Sequence, residues 1–378
     1  MSFSFIAEQL AQQKQQHKYR QSTCVSAVDG QHIVIDGKPY INFSSNDYLG
    51  LNQHAEITKA FQQGLDEGLC STGSNLITGY HKSHRQLEDD ICQWLNQEAC
   101  LLFTSGFAAN VGCLQALANK DVTLLLDKLS HASLIDGAFN SAAKTKRFLH
   151  NDLASLTRAL EKSPIDDKLI VSEGVFSMDG DMAPVAELKT LAEQHKAWLY
   201  LDDAHSLGVI GEQGQGSSSV TQPDIVMGTF GKALATSGAF IGCSKALKEY
   251  LTNFCRHYIY TTAMSPAIAK ATSMSIKLIQ QEQWRRDKIK TLSEQFIKQL
   301  DCPLAVIPSD SSVHALLIGE EEKALSVAQK AKEAGIWLTA IRPPTVPKGT
   351  SRLRVTICAN HSVNDINYLS EFFNKVMN

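Results

Sequence analysis

The sequence of 378 residues contains no apolar stretch approaching the ~20 residues that a membrane-spanning helix needs. It also contains no C-x-x-C pair. Its cysteines are scattered at Cys24, Cys70, Cys92, Cys100, Cys113, Cys243, Cys255, Cys302 and Cys358, an odd number in a long chain. That argues against a disulfide framework and predicts a reducing cytoplasm. No basic block is present: 36 Lys and Arg face 39 Asp and Glu, which excludes a nucleic-acid footprint. Neither G-x-x-x-x-G-K-[ST] nor G-x-G-x-x-G occurs, so nucleotide binding of those kinds is not indicated. Residues 1–20 lack a signal-peptide core and read as a polar helix. There is no Pro/Gly linker, internal repeat or low-complexity tract. Among the histidines, only His81 and His84 share a short motif. No cysteine or acid lies near them at zinc-ligand spacing, so no metal is expected.

What is present is ordinary globular composition, 43 % hydrophobic and 20 % charged. Residues 5–20 read as a helix, and residues 31–43 as short strands around a turn at Asp36-Gly37. Residues 84–95 place Leu87, Ile91, Trp94 and Leu95 on one helix face. Short apolar runs follow: A-C-L-L-F, V-T-L-L-L, K-L-I-V-S, A-W-L-Y-L and D-I-V-M-G. Most are separated by helical or loop segments. This pattern predicts an α/β fold, with a large domain built on a mostly parallel sheet covered by helices. After about residue 265 the texture changes. Long charged helices over 265–299 precede H-A-L-L-I, a helix over 321–334, I-W-L-T-A-I, R-L-R-V-T-I and a last helix. A smaller α+β C-terminal domain is expected. The predicted division is 1–44 (N-terminal helix and short strands), 45–270 (large domain) and 271–378 (small domain).

The apolar runs end in T-S-G-F, D-K-L-S-H, E-G-V-F-S, D-D-A-H and T-F-G-K. Ligands of open α/β sheets bind beyond the carboxyl ends of the strands, so these ends deliver candidate chemistry to one edge. Asp202 stops one strand, where it can pair with a protonated ring nitrogen; alone, it could equally cap a helix or hold Mg²⁺. His131 can stack on a flat cofactor; alone, it could be a structural hydrogen bonder. Residues 104–110, T-S-G-F-A-A-N, read as a hydroxyl-glycine turn opening a helix, a terminus suited to an anion. In G-T-F-G-K-A-L-A-T-S-G-A-F, residues 228–240, Lys232 is the one charge among small and apolar residues. A desolvated lysine is nucleophilic toward a carbonyl. Lysine, ring-nitrogen acid and phosphate cup together are what pyridoxal phosphate (PLP) needs.

These residues sit in longer motifs: N-F-S-S-N-D-Y-L-G-L (42–51), G-S-N-L-I-T-G-Y-H-K-S-H (73–84), L-D-D-A-H-S-L-G-V-I-G and T-F-G-K-A. Through them the chain resembles the α-oxoamine synthases, a fold-type-I PLP transferase family, from about residue 20 to about residue 361. The resemblance implies PLP as cofactor and assigns roles by position. Lys232 would carry the cofactor. Asp202 would keep its pyridine nitrogen protonated, and His131 would stack on its ring. His205 and Ser177 would hydrogen-bond its phenolic oxygen or nearby groups. Gly106, Phe107 and Thr229 would hold its phosphate, joined by Thr262 from the neighbouring subunit of a homodimer. Arg354 would grip the amino-acid carboxylate, while Arg20, Arg342 and Thr345 would line the acyl side. Asn46 and Glu173 also match site positions. The tail A-I-R-P-P-T-V-P-K-G-T-S-R-L-R-V-T (340–356) is similar to the branch that joins L-alanine to a pimeloyl thioester, on CoA or an acyl carrier protein, in biotin biosynthesis. Sister synthases share the cofactor motifs and differ in the acyl pocket and in the room left at the amino-acid Cα. A non-catalytic relative would have lost Lys232.

Overall fold

The computed structural model describes residues 2–16 and 18–378. The chain forms two compact units. One comprises Asn46–Ser177 and Asp181–Asp287; the other comprises the chain up to Ser45, Met178–Gly180 and Lys288–Asn378.

The first of these units is built on a seven-stranded sheet. In spatial order the strands are Ala99–Phe103, Ala239–Cys243, Ile225–Thr229, Trp198–Asp202, Asp167–Glu173, Val122–Asp127 and Lys144–Phe148. Only Ala239–Cys243 runs antiparallel to its neighbours. The inner strands read as unbroken apolar runs because both faces are covered. Leu124 and Leu126 pack with Ala109, Cys113 and Leu114 of helix Gly106–Leu117 on one face. Leu125 packs on the other with Leu156, Leu160 and Leu188. Each fully buried leucine contributes roughly 1.5–3 kcal/mol by leaving water. The strand Lys144–Phe148, K-T-K-R-F, escapes an apolar-run reading. It is the sheet's edge, where one side is unpaired and charge suits exposure.

Helix Pro266–Gln281 belongs to this unit, which therefore extends past the expected limit at residue 270. The helix packs on Ala55–Gly64 and Lys82–Leu95. The approach is close: a Cβ on Gly64 would sit 2.5 Å from Ala267 Cα. That contact is invisible in the charge pattern.

In the other unit, helix Phe5–Gln15 buries no side chain, and it ends before the expected residue 20. Strands Val25–Asp29, His32–Ile35 and Lys38–Asn42 form an antiparallel meander. Asp36 and Gly37 make the predicted turn, both at positive φ (50° and 73°). The run I-W-L-T-A-I forms two short strands. Ile336–Trp337 pairs with Lys38–Asn42, and Thr339–Ile341 pairs with Ser351–Thr356 in a second four-stranded sheet. Leu316, Leu353, Val355, Phe296 and Phe373 form this unit's core. The segment up to Ser45 thus shares a unit with the C-terminal residues, because its last strand is completed by Ile336–Trp337.

One charged cluster ties loops of the larger sheet together. His150 Nδ1 lies 3.0 Å from Asp127 Oδ1, and its Nε2 lies 2.8 Å from Asp181 Oδ2. Burial disfavours the charged ring, but the two carboxylates outweigh it and raise the imidazole to about 9. Because the folded value lies above the ordinary one, the stabilisation is complete below pH ~6.5 and lost as pH rises through ~9. A rise of that size corresponds to roughly 3 kcal/mol. In urea unfolding, His150→Gln is expected to be about 2–3 kcal/mol less stable than the parent near pH 6, with the gap shrinking above pH ~9. An equal gap at both pH values would show that the ring acts through packing alone.

Candidate active site

The carboxyl ends of the strands surround a cavity of about 200 Å³. Of the residues singled out in the sequence, Gly106, Phe107, His131, Glu173, Asp202, His205, Thr229 and Lys232 line it. They come from distant parts of the chain, and the parallel sheet gathers them at one edge.

Asp202 is 4 % exposed and ends its strand. Its Oδ2 accepts from Asn110 Nδ2 at 2.7 Å, and its Oδ1 accepts from the Ala204 amide at 3.0 Å. Among the described residues, no cation lies within ion-pair distance of it. A buried carboxylate without a counter-charge is unusual, and it suits a cationic group brought by a ligand. The adjacent Asp203 points away from the cavity. Ser206 Oγ donates to it at 2.6 Å, and the Ser217 amide at 2.8 Å. The pair D-D therefore divides into one acid for the cavity and one for the scaffold.

Glu173 lies beside Asp202 in the strand register. Burial, and then the neighbouring Asp202, push its carboxyl well above its ordinary value. Its Oε1 accepts the His131 backbone N–H at 2.5 Å. His131 caps helix Ala132–Phe139: the Ser133 amide points at His131 Nδ1 at 3.3 Å. Nδ1 is therefore an acceptor, and the Ser133 hydroxyl donates to it at 2.8 Å. The neutral ring carries its proton on Nε2. Desolvation keeps this imidazole below its ordinary pKa; Lys232 adds to the effect and Asp202 opposes it.

Lys232 sits in a tight loop after Ile225–Thr229. The Thr236 amide donates to Phe230 O at 2.9 Å, and the Ala235 amide to Lys232 O at 2.9 Å. Its Nζ lies 2.7 Å from His205 Nε2, and His205 Nδ1 lies 2.5 Å from the Tyr48 hydroxyl. At the opposite side, Ser105 caps helix Gly106–Leu117 by accepting from the Ala108 amide at 3.2 Å. A Cβ on Gly106 would meet Met227 and Thr229 only at ordinary contact distance, 3.6–3.7 Å. Packing thus does not demand glycine there; its effect is to leave the helix terminus open to the cavity. Thr229 Oγ1 donates to Gly238 O at 3.1 Å, which leaves its oxygen able to accept.

Other expected residues lie elsewhere. Ser177 is buried past the end of Asp167–Glu173 and does not line the cavity. Thr262 forms a β-bridge with Ser74 and is also absent from the lining. Asn46 accepts from the Tyr48 hydroxyl at 3.3 Å. In the other unit, Arg20 Nη2 donates to Thr345 Oγ1 at 3.4 Å. Arg354 is buried in strand Ser351–Thr356, opposite Thr339, and Arg342 follows Thr339–Ile341.

A family model described as aminotransferase class I and II matches residues 38–373. The chain belongs to this family. Within it, the chain is 46 % identical over 347 residues to an 8-amino-7-oxononanoate synthase from Aliivibrio fischeri, covering 91 % of each sequence. A second protein of that name, from Photobacterium profundum, is 43 % identical over 380 residues, covering 99 % of this chain and 97 % of the relative. Among solved structures, a serine palmitoyltransferase variant from S. paucimobilis with a bound PLP–myriocin aldimine superposes with TM-score 0.92 at 28 % identity, over 99 % of this chain and 96 % of that one.

The sequence reading missed Asn110, Ser133, Tyr200 and Tyr48. Tyr200 donates to Asn110 Oδ1 at 2.6 Å, which turns the amide so that Nδ2 donates to both Asp202 (2.7 Å) and Ser133 (2.8 Å). One amide thereby holds the cavity's acid and, through Ser133, its imidazole. The signal that was available is helical: Asn110 lies four residues after Gly106, on the same face. Asn110→Ala leaves Asp202 Oδ2 and the Tyr200 hydroxyl without partners. A stability loss of about 1–3 kcal/mol is expected, with weakened retention of bound cofactor, measured by thermal unfolding and dialysis. Unchanged stability and retention would dismiss the network.

Proposed function

We propose that this protein catalyses the 8-amino-7-oxononanoate synthase reaction with PLP as its cofactor. L-Alanine condenses with pimeloyl-CoA or pimeloyl-[acyl-carrier protein], releasing CO₂ and the free thiol and giving the precursor used in biotin biosynthesis. The observation that carries the chemistry is one cavity holding Lys232 against His205 beside the buried Asp202, which has no ion-pair partner among the described residues. The named relatives support the choice of substrates.

The residues fit the cofactor's groups. The amides at Gly106 and Phe107, with the helix terminus and Thr229, would hold the phosphate. Asp202 would hold the proton on the pyridine nitrogen, His131 would stack on the ring, and His205 would meet the phenolic oxygen, whereas Ser177 lies outside the lining. Glu173 would support His131 through its backbone N–H, and Asn46 would order the residues behind His205. When bound, PLP supplies an electron sink for the substrate's α-carbon. The Lys232 amine takes the α-proton, and His205 keeps Nζ aimed across the cavity. Arg354 would orient the amino-acid carboxylate, and Arg20, Arg342 and Thr345 the acyl chain.

Two copies would complete two sites, with Thr262 reaching the neighbour's phosphate. Leu69, Ile77 and Tyr260, each more than 70 % exposed, lie near the bridge between Ser74 and Thr262 and fit a covered face. No helix among the described residues is long and apolar enough to cross a membrane, and the nine cysteines form no disulfide; a cytoplasmic setting suits this.

The test is a substrate panel on PLP-loaded protein with pimeloyl-CoA and L-alanine, glycine or L-serine. Product with alanine alone is expected. Product confined to glycine or serine would assign a sister synthase.

A further inference from the structure

Tyr48 is fully buried, and its hydroxyl meets one nitrogen of the ring whose other nitrogen meets Lys232. A lysine ammonium only donates, so His205 Nε2 accepts from it. A neutral imidazole that accepts at Nε2 carries its proton on Nδ1, and the Tyr48 oxygen accepts from that N–H. The Tyr48 O–H is itself directed at Asn46 Oδ1, 3.3 Å away. Donation therefore runs in one direction, from Lys232 to His205 to Tyr48 to Asn46.

We infer that Tyr48 is a positioning residue for the reacting amine. By accepting from Nδ1–H it turns the Nε2 lone pair toward Lys232. His205 can then take a proton from the ammonium. The Nζ–H bond breaks, an Nε2–H bond forms, and the positive charge passes from lysine to imidazolium. The imidazolium still donates to Tyr48 and now donates to the neutral amine, so both states are fully hydrogen-bonded. The reverse transfer restores the ammonium, and no further reagent is consumed. The other ionisable groups on this cavity are Asp202, Glu173 and His131. Asp202 favours a cation on either partner, while burial disfavours the charged forms of Glu173 and His131. Without the hydroxyl, the Nδ1–H loses the acceptor that Tyr48 supplies. The ring then favours the Nε2–H tautomer, which points a donor at the lysine's own donors.

The inference rests on Lys232 being the base of the proposed reaction, and the test separates the two. Ring ¹⁵N shifts of His205, assigned against His205→Asn, are recorded on full-length protein without added cofactor. The wild type is expected to carry the proton on Nδ1 and Tyr48→Phe on Nε2. With PLP and substrates, Tyr48→Phe is expected to lower kcat roughly 10- to 100-fold with KM within about twofold. In a His205→Asn background the same change is expected to alter kcat by less than about twofold, because Tyr48 acts through His205. A wild-type ring protonated on Nε2 overturns the inference, even if Tyr48→Phe fails to fold. So does an unchanged tautomer in folded Tyr48→Phe, or losses that multiply in the double variant. The ring measurement needs no substrate, so it stands or falls apart from the assigned reaction.

Discussion

Lys232→Ala is expected to lower turnover by at least about 10²- to 10⁴-fold, the range associated with loss of a general base. The loss is expected to reach or exceed the upper end, because the same nitrogen is the proposed attachment point of the cofactor. The fold should survive. Lys232 is half-buried in a loop whose backbone bonds, Thr236 N to Phe230 O and Phe230 N to Gly238 O, do not involve its side chain. The checks are steady-state turnover with L-alanine and pimeloyl-CoA, and borohydride reduction followed by peptide mapping. Reduction should fix PLP on the Lys232 peptide of the parent and nowhere in the variant. Near wild-type turnover in Lys232→Ala would sink the assignment of this lysine.

Asp202→Asn is expected to keep PLP and lose about 10²- to 10³-fold in kcat, as when one preorganised electrostatic group is removed. The physical reason is local. Both Asp202 oxygens accept from donors, Asn110 Nδ2 and the Ala204 amide. An asparagine offers one oxygen and one amine there, so one donor faces another donor in a buried site. The neutral side chain also no longer holds a proton on a ring nitrogen. The proposed phosphate end, at a helix terminus on a different strand end, should be untouched. Exchange of the L-alanine α-proton in D₂O is the direct reading. Normal exchange in Asp202→Asn, with PLP bound, would remove Asp202 from the electron-sink role.

These expectations rest largely on residues that the sequence makes visible. In a mostly parallel sheet the chemistry sits where strands stop, so short apolar runs followed by G-K, D-D-A-H or S-H point to the site. The sheet, its single cavity edge and eight of the lining residues follow from that rule. What the sequence hides depends on tertiary packing. Asn110 reads as one more polar residue in a helix until Tyr200, Ser133 and Asp202 are seen around it. Tyr48 reads as a core aromatic until its hydroxyl is placed on His205. Edge strand Lys144–Phe148 carries charge because it is half-solvated, so hydrophobic periodicity passes over it. The unit boundary was misplaced for a related reason. Helix Pro266–Gln281 begins where the sequence changes texture, yet its Ala267 packs closely on Gly64 and the helix belongs to the larger unit.

The site's central claim is that Lys232, presented by His205, is the group that carries PLP and releases it to L-alanine. The most direct test is the visible absorption of PLP-loaded protein, recorded before and after L-alanine, for wild type and Lys232→Ala. A visible band that the variant lacks, and that alanine shifts in the wild type, is the predicted result. A band that persists unchanged in Lys232→Ala, or no band in wild type after adding PLP, would contradict it.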